Sequence, residues 1–179
     1  MISVDEALFS GPVAELEAVL AAREARVARR QDALSRLAPP MVSITPVMPG
    51  PVKDCAASRR LQRAALDALE RLCQCRDWSF ELLWSQVGAA GPEALYAVDA
   101  PVDELKRALV DLETVDPLGR LWDLDVTDPK LGALSRRGLG LPVRRCIVCD
   151  QPAHACARSR AHSLPELLGA IEDILHAAP

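Results

Sequence analysis

Apolar residues recur over the first forty positions at intervals of three, four and seven, at Val13, Leu16, Leu20, Val27 and Leu34. That spacing predicts a long amphipathic helix, opened by Ser3-x-x-Glu6 and Ser10-Gly11-Pro12 and stopped at Pro39-Pro40. Its arginines Arg23, Arg26, Arg29, Arg30 and Arg36 read as a solvated face, on which an acidic carrier protein could dock. Residues 41–48 then alternate in β-forming types and end at Pro49-Gly50-Pro51, a strand running into a tight loop that carries Lys53 and Asp54. Helical spacing returns over 55–76 at Leu61, Ala65, Leu69 and Leu72, with Asp54 as the expected cap. Cys73 and Cys75 fall at the end of that helix, where two positions diverge by about 200°, so packing suits them better than a shared metal.

Two further strands are predicted at 78–87 and 95–98, joined by Gly88-Ala89-Ala90-Gly91-Pro92, with Glu93 just beyond the turn. Pro101 opens a helix carrying Val102, Leu105, Leu109 and Leu112, which ends before Pro117. The next strand is Leu121-Trp122-Asp123-Leu124-Asp125-Val126, and a short one at 131–136 can pair with it across Thr127-Asp128-Pro129-Lys130. Ser163-x-x-Glu166 caps a last helix with Leu167, Leu168, Ile171, Ile174 and Leu175. The resulting order, strand-helix-strand-strand-helix-strand, predicts an α+β fold with a ferredoxin-like βαββαβ core. To it are added an N-terminal helical segment (1–38) and a C-terminal Cys-rich and helical extension (144–179), around an α+β core at 41–137.

Composition narrows the function. A chain that is 50% hydrophobic and 26% charged can build an ordinary globular core. A net charge of -4 argues against a general nucleic-acid or anionic-membrane binder, which needs a positive field. Aromatic residues at 3% leave few stacking platforms for single strands. The start, Met1-Ile2-Ser3-Val4-Asp5-Glu6, lacks the basic and apolar regions of a secretory signal, so the expected setting is cytoplasmic. In a reducing compartment the six cysteines are thiols or metal ligands.

Two constellations carry chemistry. Successive strand residues face opposite sides, so Asp123 and Asp125 share a face about 7 Å apart. Paired carboxylates there suit Mg²⁺, whose remaining positions go to water and substrate phosphates, although a merely solvated sheet face would look the same. Arg120, Arg136, Arg137, Arg144 and Arg145 concentrate guanidiniums near the pair, as a polyphosphate requires. The second constellation is Cys146-x2-Cys149-x6-Cys156-x5-His162, three sulfurs and an imidazole of the kind that hold structural Zn²⁺, with His154 a competitor for the fourth place. Reduced cysteines packed as small hydrophobes are the alternative. A catalytic thiol is disfavoured, since no nucleophile-base arrangement is evident among three histidines.

Pro49-Gly50-Pro51-Val52-Lys53-Asp54, Gly91-Pro92-Glu93, Pro117-Leu118-Gly119-Arg120-Leu121-Trp122-Asp123-Leu124-Asp125-Val126, Ser135-Arg136-Arg137 and the run from Arg144 to His162 follow one another in an order that resembles the apo-citrate lyase phosphoribosyl-dephospho-CoA transferases. The resemblance spans most of the chain from about Pro39. It implies a single transferase domain of nucleotidyltransferase-like fold. The implied reaction joins 2′-(5″-triphosphoribosyl)-3′-dephospho-CoA to a serine of the citrate lyase acyl carrier subunit and releases pyrophosphate. Asp123 and Asp125 would then hold Mg²⁺, Lys53 and Arg120 would bind the leaving pyrophosphate, and Arg136 and Arg137 would serve the polyphosphate or the dephospho-CoA end. Asp116 departs from the histidine often found there in the family, and a turn cap is its expected role. The rival readings are the equivalent holo-carrier synthase of malonate decarboxylase and a zinc-stabilised adaptor that does no chemistry.

Overall fold

The computed structural model describes residues 5–178, so the helix-start signal at Ser3 lies outside the described residues. A short helix α1 (Glu6–Phe9) and a long α2 (Leu16–Arg36) precede β1 (Met41–Pro46), α3 (Ala56–Cys75), β2 (Ser79–Gly88), β3 (Gly91–Asp99), α4 (Val102–Val115), β4 (Trp122–Asp128) and β5 (Gly132–Ala133). Two helices, α5 (Ala153–Ser159) and α6 (Leu164–Ala177), close the chain. The strands form one five-stranded sheet in the order β2-β3-β1-β4-β5, with every neighbouring pair antiparallel.

Alternation along the central strands decides the two faces. Val42 and Ile44 of β1, Ala94, Tyr96 and Val98 of β3, and Trp122, Leu124 and Val126 of β4 all enter one core with Leu61, Ala65 and Leu69 of α3, Leu105 and Leu109 of α4, and Ile171 and Leu175 of α6. Strand residues between them face the other way, where Met41, Leu95 and Ala97 pack under Ala33 of α2. Asp123 and Asp125 belong to that second face, opposite Thr45 and Ser43 of β1.

The outer edge of β4 is short of partners, because β5 pairs only with Thr127 and Asp128. Two buried side chains of α4 take its place. Lys106 Nζ donates to Leu124 O at 2.9 Å and Glu113 Oε1 accepts from Leu124 N at 2.9 Å, so the backbone beside the aspartates is pinned by a helix. An unsatisfied buried amide or carbonyl would cost about 1–3 kcal/mol, which these two contacts avoid.

Several details differ from the sequence expectations: the long N-terminal helix is split, with Val13 bridged to Val52 between α1 and α2, and the strand expected at 131–136 is only Gly132–Ala133. Cys55, not Asp54, is the N-cap of α3: its N–H donates to Ser58 Oγ at 3.0 Å, while Asp54 binds Arg59 through two hydrogen bonds of 2.6 and 2.8 Å. β3 is longer than predicted and takes Glu93 into its interior. The predicted apolar stripe of α2 does not pack, since Leu16, Leu20 and Val27 are exposed. The helix instead turns Val19, Ala33, Arg26 and Arg29 towards the sheet, because Glu93 is buried there and needs cations. Arg26 and Arg29 are therefore not part of a solvated face. Cys73 enters the core and Cys75 is exposed, as their divergence on a helix requires.

Candidate active site and metal centre

Three loops and one helix converge on the open half of the second sheet face. The loop after β1 is fixed by Val47 N donating to Leu121 O at 2.8 Å and by Ala14 N donating to Pro51 O at 3.0 Å. Within it Lys53 is half-buried and its Nζ donates to Met48 O at 2.6 Å. The β2–β3 turn leans on the same loop. Gly91 has φ +89, and a Cβ there would stand 2.6 Å from Lys53 O, so only glycine allows the approach.

Asp123, opposite Thr45, lines a recess of about 570 Å³ together with Thr45, Arg23, Arg26 and Lys53. Its side chain is 52% exposed, yet the recess walls crowd the carboxylate enough that burial is the first cause raising its pKa, followed by the charge of Asp125; Arg144 opposes the rise. Lys53 is shifted down, first by burial and then by the positive charge of Arg23. The recess thus holds cations that repel one another and Asp123, whose charge is disfavoured by Asp125 two residues along the same strand face. Both strains are relieved by a ligand that brings a polyanion and a divalent cation together.

Arg144, grouped from the sequence only with the phosphate-binding guanidiniums, is tied directly to Asp123. Its guanidinium donates to Asp123 Oδ1 at 3.2 Å, to Arg120 O at 2.7 Å and to Trp122 O. Arg120 returns the tie by donating to Cys146 O. The segment before Cys146 and the start of β4 are therefore clasped from both sides. Arg136 reaches Glu113, which lies 3.9 Å from Arg144, so it joins the aspartate indirectly. Arg137 is exposed on a single 3-10 turn and lines neither this recess nor the cavity described next. Asp116 Oδ1 accepts from Leu118 N at 2.9 Å, capping the turn that delivers the chain to β4.

A second cavity, about 630 Å³, lies between the loop after β1 and the C-terminal segment and shares Val47, Met48 and Ala157 with the recess. One of its walls is the Cys/His cluster. The ligand atoms of Cys146, Cys149, Cys156 and His162 all lie within 4.8 Å of one another. Cys149 Sγ is 3.5 Å from Cys156 Sγ and 3.3 Å from His162 Nε2. A tetrahedral zinc with ordinary bond lengths sets such edges at about 3.8 and about 3.6 Å, so the donor set and spacing can hold a metal such as zinc. His162, and not His154, supplies the imidazole.

The arginines holding Glu93 were legible in one respect. A lone carboxylate in an otherwise apolar strand demands buried partners, and Arg26 and Arg29, three residues apart on a helix, can supply them together. Nothing in the pattern said which strand the helix would cover. Among the described residues no helix is long and apolar enough to cross a membrane.

Residues 14–178 match the family profile described as apo-citrate lyase phosphoribosyl-dephospho-CoA transferase. A protein of that name from Escherichia coli strain HS is 41% identical over 169 residues, covering 94% of this chain and 92% of its own. The one from Citrobacter koseri is 42% identical over 160 residues, covering 89% and 87%. With the aspartate pair, its arginine clasp and the Cys/His cluster lying inside the matched span, the chain belongs to the apo-citrate lyase phosphoribosyl-dephospho-CoA transferase family.

Proposed function

We propose that this protein attaches the phosphoribosyl-dephospho-CoA group of 2′-(5″-triphosphoribosyl)-3′-dephospho-CoA to a serine of the acyl carrier subunit of apo-citrate lyase, releasing pyrophosphate. The observation that carries the reading is the placement of Asp123 in a recess with Arg23 and Lys53, inside a chain whose relatives bear the transferase name. In this reaction the serine oxygen bonds to the α-phosphorus and the bond from that phosphorus to the bridging oxygen of the leaving diphosphate breaks. The serine proton is lost to solvent. The nucleophile comes from the carrier, so the chain needs none of its own.

Asp123 and Asp125 fit a divalent cation: they are exposed on one strand face, and the Asp123 carboxylate, disfavoured in its charged form by burial and by Asp125, gains from a cation placed between them. Mg²⁺ held there supplies charge neutralisation at the transferring phosphoryl group. Arg144 orients Asp123 and offsets the repulsion from Asp125. Lys53 and Arg23 face the leaving pyrophosphate, and Arg120, clasped to Cys146, lines the second cavity rather than the recess. Arg136 acts through Glu113, and Arg137 is free to meet the polyphosphate from solvent. Zinc on Cys146, Cys149, Cys156 and His162 would be a closed structural site that keeps Arg144 in place.

The core is read as ferredoxin-like, of nucleotidyltransferase type. The element order β1-α3-β2-β3-α4-β4 and the antiparallel order β2-β3-β1-β4 support that reading. Six free cysteines suit a reducing, cytoplasmic setting. Neither a nucleic acid nor a membrane is among the proposed partners.

The test is to mix the protein with apo carrier subunit, the triphosphoribosyl precursor and Mg²⁺, and to follow carrier mass and pyrophosphate. Wild type should add one phosphoribosyl-dephospho-CoA group per carrier, and folded Asp123→Asn and Asp125→Asn should fail. A wild-type protein that leaves a competent carrier unmodified would refute the transferase reading.

A further inference from the structure

The two cavities differ in chemistry although they share a wall. The recess beside Asp123 presents Arg23, Arg26 and Lys53. The second cavity is walled mainly by carbon, from Val47, Met48, Ile147, Leu164 and Leu167; of its four arginines, Arg120 and Arg144 are tied to backbone carbonyls, and Arg145 and Arg160 stand at the rim. The wall is tight at one point: Gly50 has φ +80, and a Cβ there would lie 2.9 Å from Leu164 Cδ1, so the loop after β1 closes directly on α6.

The proposed substrate is divided in the same way. At one end is a triphosphate; at the other is dephospho-CoA, an adenine ring and a pantetheine arm joined by a diphosphate. A polyanion is stabilised where cations converge, and an adenine ring where carbon walls exclude water. We infer that the cavity between the loop after β1 and the Cys/His segment is the dephospho-CoA subsite, with Arg145 and Arg160 on its diphosphate, while the triphosphate enters the recess of Arg23 and Lys53. The inference rests on the transferase reading for its choice of ligand. In this arrangement the substrate crosses the shared Val47-Met48 wall, which puts the α-phosphate beside Asp123 and leaves the carrier serine to approach from the open sheet face.

Arg160 carries a second indication. It ends α5 with φ 51, a left-handed conformation that a non-glycine residue adopts only at an energetic cost. Glycine would cap that helix more cheaply, so the conformation sacrifices stability to keep a guanidinium at the cavity rim. Arg145, its counterpart, has a side chain 68% exposed and, among the described residues, pairs with Asp150 at 3.3 Å, itself 94% exposed, leaving its charge available to a ligand.

The experiment is calorimetric titration of the zinc-loaded full chain with two probes, dephospho-CoA alone and Mg²⁺-pyrophosphate. Arg160→Gly removes the side chain while relieving the backbone, so it folds at least as well as wild type and isolates the rim charge. Arg160→Gly combined with Arg145→Ala should weaken dephospho-CoA binding by about tenfold or more, the loss expected for charge-assisted contacts, and move pyrophosphate affinity less than about twofold. Arg23→Ala should do the reverse. Dephospho-CoA binding that is undetectable in wild type, indifferent to the arginine pair, or lost instead in Arg23→Ala overturns the subsite. The carrier-modification assay separates the two readings. Transfer by wild type with unaltered dephospho-CoA binding in the pair variant sinks the subsite alone. Pair-sensitive dephospho-CoA binding without transfer supports the subsite and sinks the reaction.

Discussion

Glu93→Gln tests whether the long N-terminal helix is held to the sheet by charge. Glu93 is 1% exposed, and its carboxylate accepts from Arg26, from Arg29 at 2.6 Å and from Gln86 at 2.7 Å. Arg29 also lies over the Trp84 ring, 4.4 Å from the centroid. Breaking a fully buried ion pair costs about 3–5 kcal/mol, because a charge is left without its partner. Here the arginine side chains are 20% and 33% exposed and can recover part of their hydration, so the expected loss is about 2–3 kcal/mol. For a chain of this size that is roughly 5–10 °C in Tm. Urea and thermal unfolding of wild type, Glu93→Gln, Arg26→Gln and the double variant would show it, with a coupling of at least about 1 kcal/mol between the two positions. Because α2 carries Arg23 into the recess, KM for the triphosphoribosyl substrate should rise as well. A Glu93→Gln protein within about 0.5 kcal/mol of wild type, with no coupling to Arg26, would refute the claim that this cluster anchors the helix.

Gly91→Ala should destabilise by about 1–3 kcal/mol and raise KM for the triphosphate substrate, since the added Cβ would press on Lys53 O in a left-handed turn; steady-state kinetics beside thermal melts would check both. Cys149→Ser should reduce bound zinc from one per chain to none by elemental analysis, and it should weaken Mg²⁺ binding through loss of the Arg144 clasp; full Mg²⁺ affinity in the zinc-free protein would contradict the clasp. The Lys53 shift has a definite sign. Its folded pKa lies below the ordinary 10.5, so between that lowered value and 10.5 the unfolded chain binds more protons and stability rises with pH. Lys53→Met should remove that rise, read as the difference between the two proteins' stability curves from neutral to alkaline pH, and the same deprotonation should weaken pyrophosphate binding in wild type.

Local pattern alone determined most of the elements and which side of the central strands is buried. The period-two run around Trp122, Leu124 and Val126 made β4 a strand with one buried side and therefore required Asp123 and Asp125 to share the other. The ligand types and spacing from Cys146 to His162 identified the metal-competent cluster, because four donors within a short segment can meet only if the chain folds back on itself. The turn role of Asp116 was legible for the same local reason.

Only the tertiary structure decided which helix face is buried and which charges meet. By periodicity Leu16, Leu20 and Val27 should have packed, yet a single buried carboxylate on β3 rotated α2 to present Arg26 and Arg29 instead. An unpaired buried charge costs more than a few exposed aliphatic side chains, and sequence spacing contains no record of which strand lies beneath a helix. The clasp of Arg120 and Arg144 and the cavity they help to line likewise join residues from separate segments. Their union depends on the sheet order β2-β3-β1-β4-β5 and on the Cys/His segment folding back over the start of β4, which are long-range outcomes of packing that no local window of sequence encodes.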